Sequence, residues 1–124
     1  MNIVLWVIAG LLAAAFLGAG GMKLSQSKEK LAASGMAWTE DFSAGAVKAI
    51  GAAELLGAIG LILPALLDIA PVLVPLAATG LALTMIGAVV VHLRRGETQA
   101  IAPSAVLFVL SAIVAWGRFG PYAF

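Results

Sequence analysis

The chain has 124 residues, 63% hydrophobic and 10% charged, with a formal net charge of +1 and a mean hydropathy of +1.12. A soluble domain carries about 25% charged residues, and a chain this short cannot bury so much apolar surface in its own core, so a bilayer must solvate the rest. The near-zero charge, with no basic stripe among aromatics, excludes a nucleic-acid partner; the absence of cysteine excludes disulfides, thiol catalysis and cysteine-ligated metal or iron–sulfur centres, and one histidine cannot make a metal site alone.

The first apolar run, Ile3 to Met22, is close to the ~20 residues that cross ~30 Å of hydrocarbon. Only Asn2 precedes it in place of the basic start of a signal peptide, so it reads as a membrane span. Its far half, Gly18-Ala19-Gly20-Gly21, suits close helix approach, and Lys23 follows where a lysine can snorkel to the interface. From Ser25 to Ala44 the chain turns polar. Ser25 to Gly35 reads as a short helix started by serines and stopped by glycine, and Met36, Trp38 and Phe42 give it an apolar edge beside Glu40 and Asp41.

The second span is expected from about Gly45 to Leu63, ended by Pro64. The third begins near Pro71, tolerates Pro75 in its first turns and reaches His92 or Leu93. After the polar turn of residues 94–99, the fourth starts with Pro103 at a natural first position, or at Ala100, and runs to about Gly117 or toward Phe119. The expected fold is all-α: one domain over residues 1–124, a bundle of four transmembrane helices with a short interfacial helix between the first two.

Four spans bring both termini to one side. Lys23, Lys28 and Lys30 follow the first span and Arg94 and Arg95 the third, whereas Arg118 stands alone on the opposite side. The positive-inside bias makes this a multi-pass cell-membrane protein with loops 23–44 and 94–100 in the cytoplasm and both termini outside. Trp6, Trp116, Phe119, Tyr122 and Phe124 then form an outer aromatic belt.

Glu54 is the costly residue. A charged carboxylate at membrane depth costs about 2.5–3.5 kcal/mol on insertion scales, so it must face protein, water or ligand. It lies about ten residues into its span, roughly 13–15 Å deep, and the same depth on the third and fourth spans falls near Thr84 and Ser111. Gly51, Glu54, Gly57 and Leu61 share one stripe, Gly80, Thr84, Gly87 and Val91 another, and Ser104 and Ser111 a third. Lys48 and Glu54 point roughly 120° apart on the helix, so they are not a simple pair and Lys48 reaches the surface. Two readings of the carboxyl stay open: structural glue hydrogen-bonded to Thr84, Ser111 or a backbone carbonyl, or a ligand or proton site. His92, Arg94 and Lys23, with Lys48 and Arg95 at the same surface, form a basic mouth suited to an anionic headgroup or a quinone-like ring; lipid headgroup contact alone also accounts for them.

With these elements in order, the chain resembles the DoxX-like family of small four-helix membrane proteins. The resemblance rests on residues 18–24 at the exit of the first span, residues 51–64 in the second and residues 80–97 in the third. It implies a link to redox complexes, since the family name comes from a subunit of a thiosulfate:quinone oxidoreductase and relatives are associated with oxidative stress and methylamine metabolism. It carries over no catalytic set. Relatives working in thiol chemistry would need the cysteines this chain lacks, and Lys23, Glu54 and His92 are where the matching motifs put polar chemistry.

Three functions follow as expectations. The first is a non-catalytic subunit or scaffold of a membrane complex with a lipid- or quinone-sized site near Glu54, its partners the bilayer and either another membrane protein or a second copy. The second is a quinone-interacting oxidoreductase component relaying protons through Glu54 and His92, with electrons from a partner. The third is a small transporter. No metal is expected, and a quinone is the only cofactor the sequence leaves open.

Overall fold

The computed structural model describes residues 2–124. In chain order the elements are α1 (Asn2–Ser25), a short α2 (Lys28–Ala33), a 3-10 turn (Ala37–Asp41), α3 (Ala44–Leu67), α4 (Leu73–Arg95) and α5 (Thr98–Phe119). The four long helices have 22 to 24 residues each, and all are apolar enough to cross a membrane. The molecule is a four-span integral membrane bundle. α1 packs on α3, α3 on α4 and α4 on α5, and α5 closes the ring on α1.

Local chemistry sets the helix ends. Ser27 and Ser43 cap α2 and α3, their hydroxyls accepting from the backbone N–H of Lys30 (3.2 Å) and Ala46 (3.1 Å). Gly96, at φ +70°, closes α4 in a Schellman motif. The Glu97 N–H donates to the His92 carbonyl (2.9 Å) and the Gly96 N–H to the Leu93 carbonyl (3.3 Å).

The proline boundaries expected from sequence are corrected. Pro64 does not end its helix: α3 continues to Leu67 and closes on Asp68 in the left-handed conformation. α5 likewise begins at Thr98, with Pro103 inside it. Each proline removes one i to i−4 hydrogen bond. Leaving the helix early would strand more backbone groups where lipid offers them no partner, so the helices run on.

The half of the bundle toward the termini is solid. Leu12, Leu61, Val74, Ala78, Leu81 and Val114 interlock there, while Leu11, Leu56, Leu66 and Leu83 point outward toward lipid. Gly80 was grouped with an inward stripe by its spacing. It is instead on the outside of α4, with open space around it.

That end is tied across the chain. Buried Arg118 donates through Nη1 to Asn2 Oδ1 (2.6 Å) and to the Tyr122 carbonyl (2.9 Å), and its guanidinium lies 3.9 Å from the Phe124 ring centroid. Trp6 meets Phe124 edge-on, and Trp116 meets Tyr122 in the same way.

Candidate functional site

α1 and α3 are antiparallel and cross closely. A Cβ at Gly20 would stand 2.7 Å from the Gly51 carbonyl oxygen, so only glycine lets the backbones approach this far. Lys23 and Glu54 each lie three residues beyond one of these glycines. Side chains lean toward the N-terminus of their own helix, so Lys23 leans into the membrane and Glu54 leans back toward the loops. They meet. Lys23 Nζ donates to Glu54 Oε1 at 2.6 Å, with Lys23 5% and Glu54 2% exposed. The expected snorkelling of Lys23 is therefore corrected: a lysine near a helix C-terminus that leans toward its N-terminus leans away from the interface.

The pair sits on the wall of a cavity of about 530 Å³ in the half of the bundle nearest the loops. All four long helices line it, and Trp38 and Phe42, from the segment between α2 and α3, complete the wall. These two rings pack edge-on at 5.6 Å between centroids, and Lys23 Nζ stands 5.5 Å from the centre of the Trp38 ring. Phe16 and Met85 belong both to the cavity wall and to the packed core, so they form its floor.

Of the residues singled out in the sequence, Lys23, Glu54, Thr84 and His92 line this space. Thr84 donates to its own helix at the Gly80 carbonyl (2.9 Å), not to Glu54. Ser111 is buried outside the cavity, donating to the Leu107 carbonyl (2.7 Å). The residues α5 contributes at this level are Ser104 and Leu107. α5 starts at Thr98, five residues before Pro103, so Ser111 lies deeper in its helix than a start at that proline would place it.

Of the residues assigned to the basic mouth, Lys48, Arg94 and Arg95 stand off the cavity wall. Lys48 is exposed and donates to the Leu24 carbonyl (2.9 Å), closing the end of α1. Arg95 Nη1 pairs with Asp41 at 2.7 Å and its Nε stands 3.3 Å from Glu97, while Arg94 is exposed. His92 Nδ1–H donates to Glu97 Oε1 at 3.0 Å, leaving only Nε2 for a ligand. The His92 hydrogen bond, reinforced by Arg95, holds the Glu97 carboxyl below the ordinary carboxylate range.

Trp38, Phe42 and Ser104 are wall residues that the sequence placed on an interfacial edge and a helix stripe without assigning them to the site. For the two aromatics the signal was present: large rings four apart in an otherwise polar interfacial stretch.

The matched family spans nearly all of this architecture, from residue 7 to residue 114. The chain belongs to the DoxX-like family. No match was found among curated proteins or among solved structures. In this DoxX-like protein, the matched residues include the Lys23–Glu54 pair, all sixteen residues of the cavity wall and the whole of α3 and α4.

Proposed function

We propose that the protein is a non-catalytic membrane subunit that holds one lipid- or quinone-sized amphiphile in the loop-side cavity, its polar head at Lys23 and Glu54 and its tail along the apolar wall. One observation carries this reading: a buried ion pair stands on the wall of a cavity of about 530 Å³ that is otherwise mostly apolar. Ligand pockets run about 300–1,000 Å³, apolar with a few convergent polar groups. The subunit role draws support from Gly10 and Gly18, which lie on the outer face of α1 with nothing packed on them and leave room for a neighbouring helix. The family's redox associations fit such a role.

The test is to isolate the protein with its surrounding lipid in polymer-bounded discs and identify by mass spectrometry what accompanies it. A single amphiphile enriched over bulk lipid is expected, and it should be lost from Ala88→Phe, which fills the cavity. If that variant carries the same complement as the parent, the reading fails.

A second reading is favoured by the presence of His92 and Glu54 on one cavity wall. They share no hydrogen bond, so a quinol bound between them would complete a proton route, its electrons passing to a partner. That reading requires His92→Gln to slow quinone turnover in the assembled complex while leaving quinone binding intact.

For orientation, we infer that the loop end, with Lys28, Lys30, Lys48, Arg94 and Arg95, faces the cytoplasm. With no native cysteine to interfere, Lys30→Cys should resist, and Phe124→Cys should accept, a membrane-impermeant maleimide added outside intact cells.

A further inference from the structure

The charges around the cavity say which head the site would accept. Among the described residues, Lys23 is the only lysine or arginine on the cavity wall, and its ammonium is already matched by Glu54 at 2.6 Å. His92 is bonded to Glu97, which together with Asp41 pairs with Arg95, and none of these three lines the cavity. No unspent positive charge therefore faces the space, and no unspent negative charge either. Hydrogen-bonding capacity does remain. The ammonium has three protons and gives one to Glu54, and Glu54 Oε2 has no hydrogen-bond partner among the described residues.

A charged head entering here would leave the wall with a net charge in a low-dielectric setting, which is where unbalanced ions cost most. An uncharged head bearing oxygen would leave the balance intact: a carbonyl or ether oxygen accepts from Lys23, and a hydroxyl donates to Glu54. Trp38, already beside the ammonium, gives a flat face for a ring or a glycerol backbone to lie against.

Resting on the occupancy proposed above, we infer that the cavity selects amphiphiles with an uncharged, hydroxyl- or carbonyl-bearing head and rejects fatty carboxylates, anionic phospholipids and alkylamines. Acylglycerols and quinones or quinols share this chemistry, and the test separates them.

The experiment uses the full chain in nanodiscs, with Trp6→Phe and Trp116→Phe leaving Trp38 as the sole reporter. Four probes are titrated: a dibromostearoyl monoacylglycerol, the free dibromostearate, the corresponding amine, and a short-tailed quinone, each quenching Trp38 on contact. The monoacylglycerol or the quinone should bind at least tenfold more tightly than the carboxylate and the amine, and the tighter of the two names the source. Glu54→Gln, which leaves the ammonium unmatched, should turn the ranking toward the carboxylate. If Glu54→Gln does not fold, Lys23→Gln makes the reciprocal test and should turn it toward the amine. A carboxylate or amine binding as tightly as the neutral probes in the parent protein overturns this inference while leaving occupancy of the cavity intact. If no probe quenches beyond the level seen with Ala88→Phe, the occupancy reading itself falls, and this one with it.

Discussion

Gly51 and Lys23 face each other across α1 and α3 so closely that a Cβ at the glycine would stand 2.7 Å from the lysine's own Cβ. The obstacle is the root of a side chain, which moves only with its backbone. Gly51→Ala should therefore push α1 from α3, costing about 1–3 kcal/mol as overpacking does and lengthening the ion pair one turn away. Gly10→Ala, with open space around it, should cost nothing. Reversible unfolding in mixed micelles, followed by circular dichroism, separates the two.

The Lys23–Glu54 pair should behave as a unit. Removing one partner leaves a buried unmatched charge, so Lys23→Met or Glu54→Ala alone should lose about 3–5 kcal/mol, whereas the Lys23→Met/Glu54→Leu double variant should recover most of it. Glu54→Gln keeps a hydrogen-bond acceptor for the ammonium and should lose less than Glu54→Ala. Additive losses in a double-mutant cycle would show that the two side chains do not depend on each other.

Asp41 and Arg95 fasten the Trp38–Phe42 segment to the end of α4. The pair is partly solvated and contributes little to global stability, but Asp41 stands in the chain between Trp38 and Phe42, two residues of the cavity wall. Asp41→Asn should leave the unfolding midpoint close to the parent's while raising the accessibility of Trp38 to acrylamide. Unchanged quenching would mean that the segment holds its position through Leu31 and Thr39 packing alone.

Acid should loosen the same end. Glu97 has a folded-state pKa below its ordinary 4.5, chiefly through its hydrogen bond to His92. A depressed carboxylate contributes stability that is fully present above the unfolded value and lost as pH falls through the folded one. Protection of the Glu97 amide in hydrogen exchange should therefore hold at neutral pH and decline from about pH 4.5 downward. Glu97→Gln should abolish that dependence.

At the opposite end, Arg118→Lys should not be conservative. One guanidinium nitrogen serves both Asn2 and the Tyr122 carbonyl while the planar group stacks near Phe124, and a lysine cannot reproduce that arrangement. A loss of about 1.5–3 kcal/mol is expected from hydrogen bonds to a charged group, with Trp6 emission shifting as Phe124 leaves it.

Much of this was legible from residue types alone. Twenty-residue apolar runs foretell four spans, because hydrocarbon thickness fixes their length, and an intramembrane carboxylate marks the candidate site. The misreadings trace to terms a linear pattern does not carry. Pro64 and Pro103 look like helix boundaries by propensity, but the bilayer's demand for satisfied backbone groups overrides them. Lys23 looks like an anchor because its position is interfacial, but the direction of its Cα–Cβ bond sends it inward. Glu54 was matched with Thr84 and Ser111 by depth, whereas its partner lies thirty-one residues upstream on an antiparallel helix.

The floor formed by Phe16 and Met85 over interlocked aliphatics turns the chamber into a cul-de-sac. Passage of a solute straight through the bundle toward the termini would demand that Leu12, Leu61 and Val114 part company.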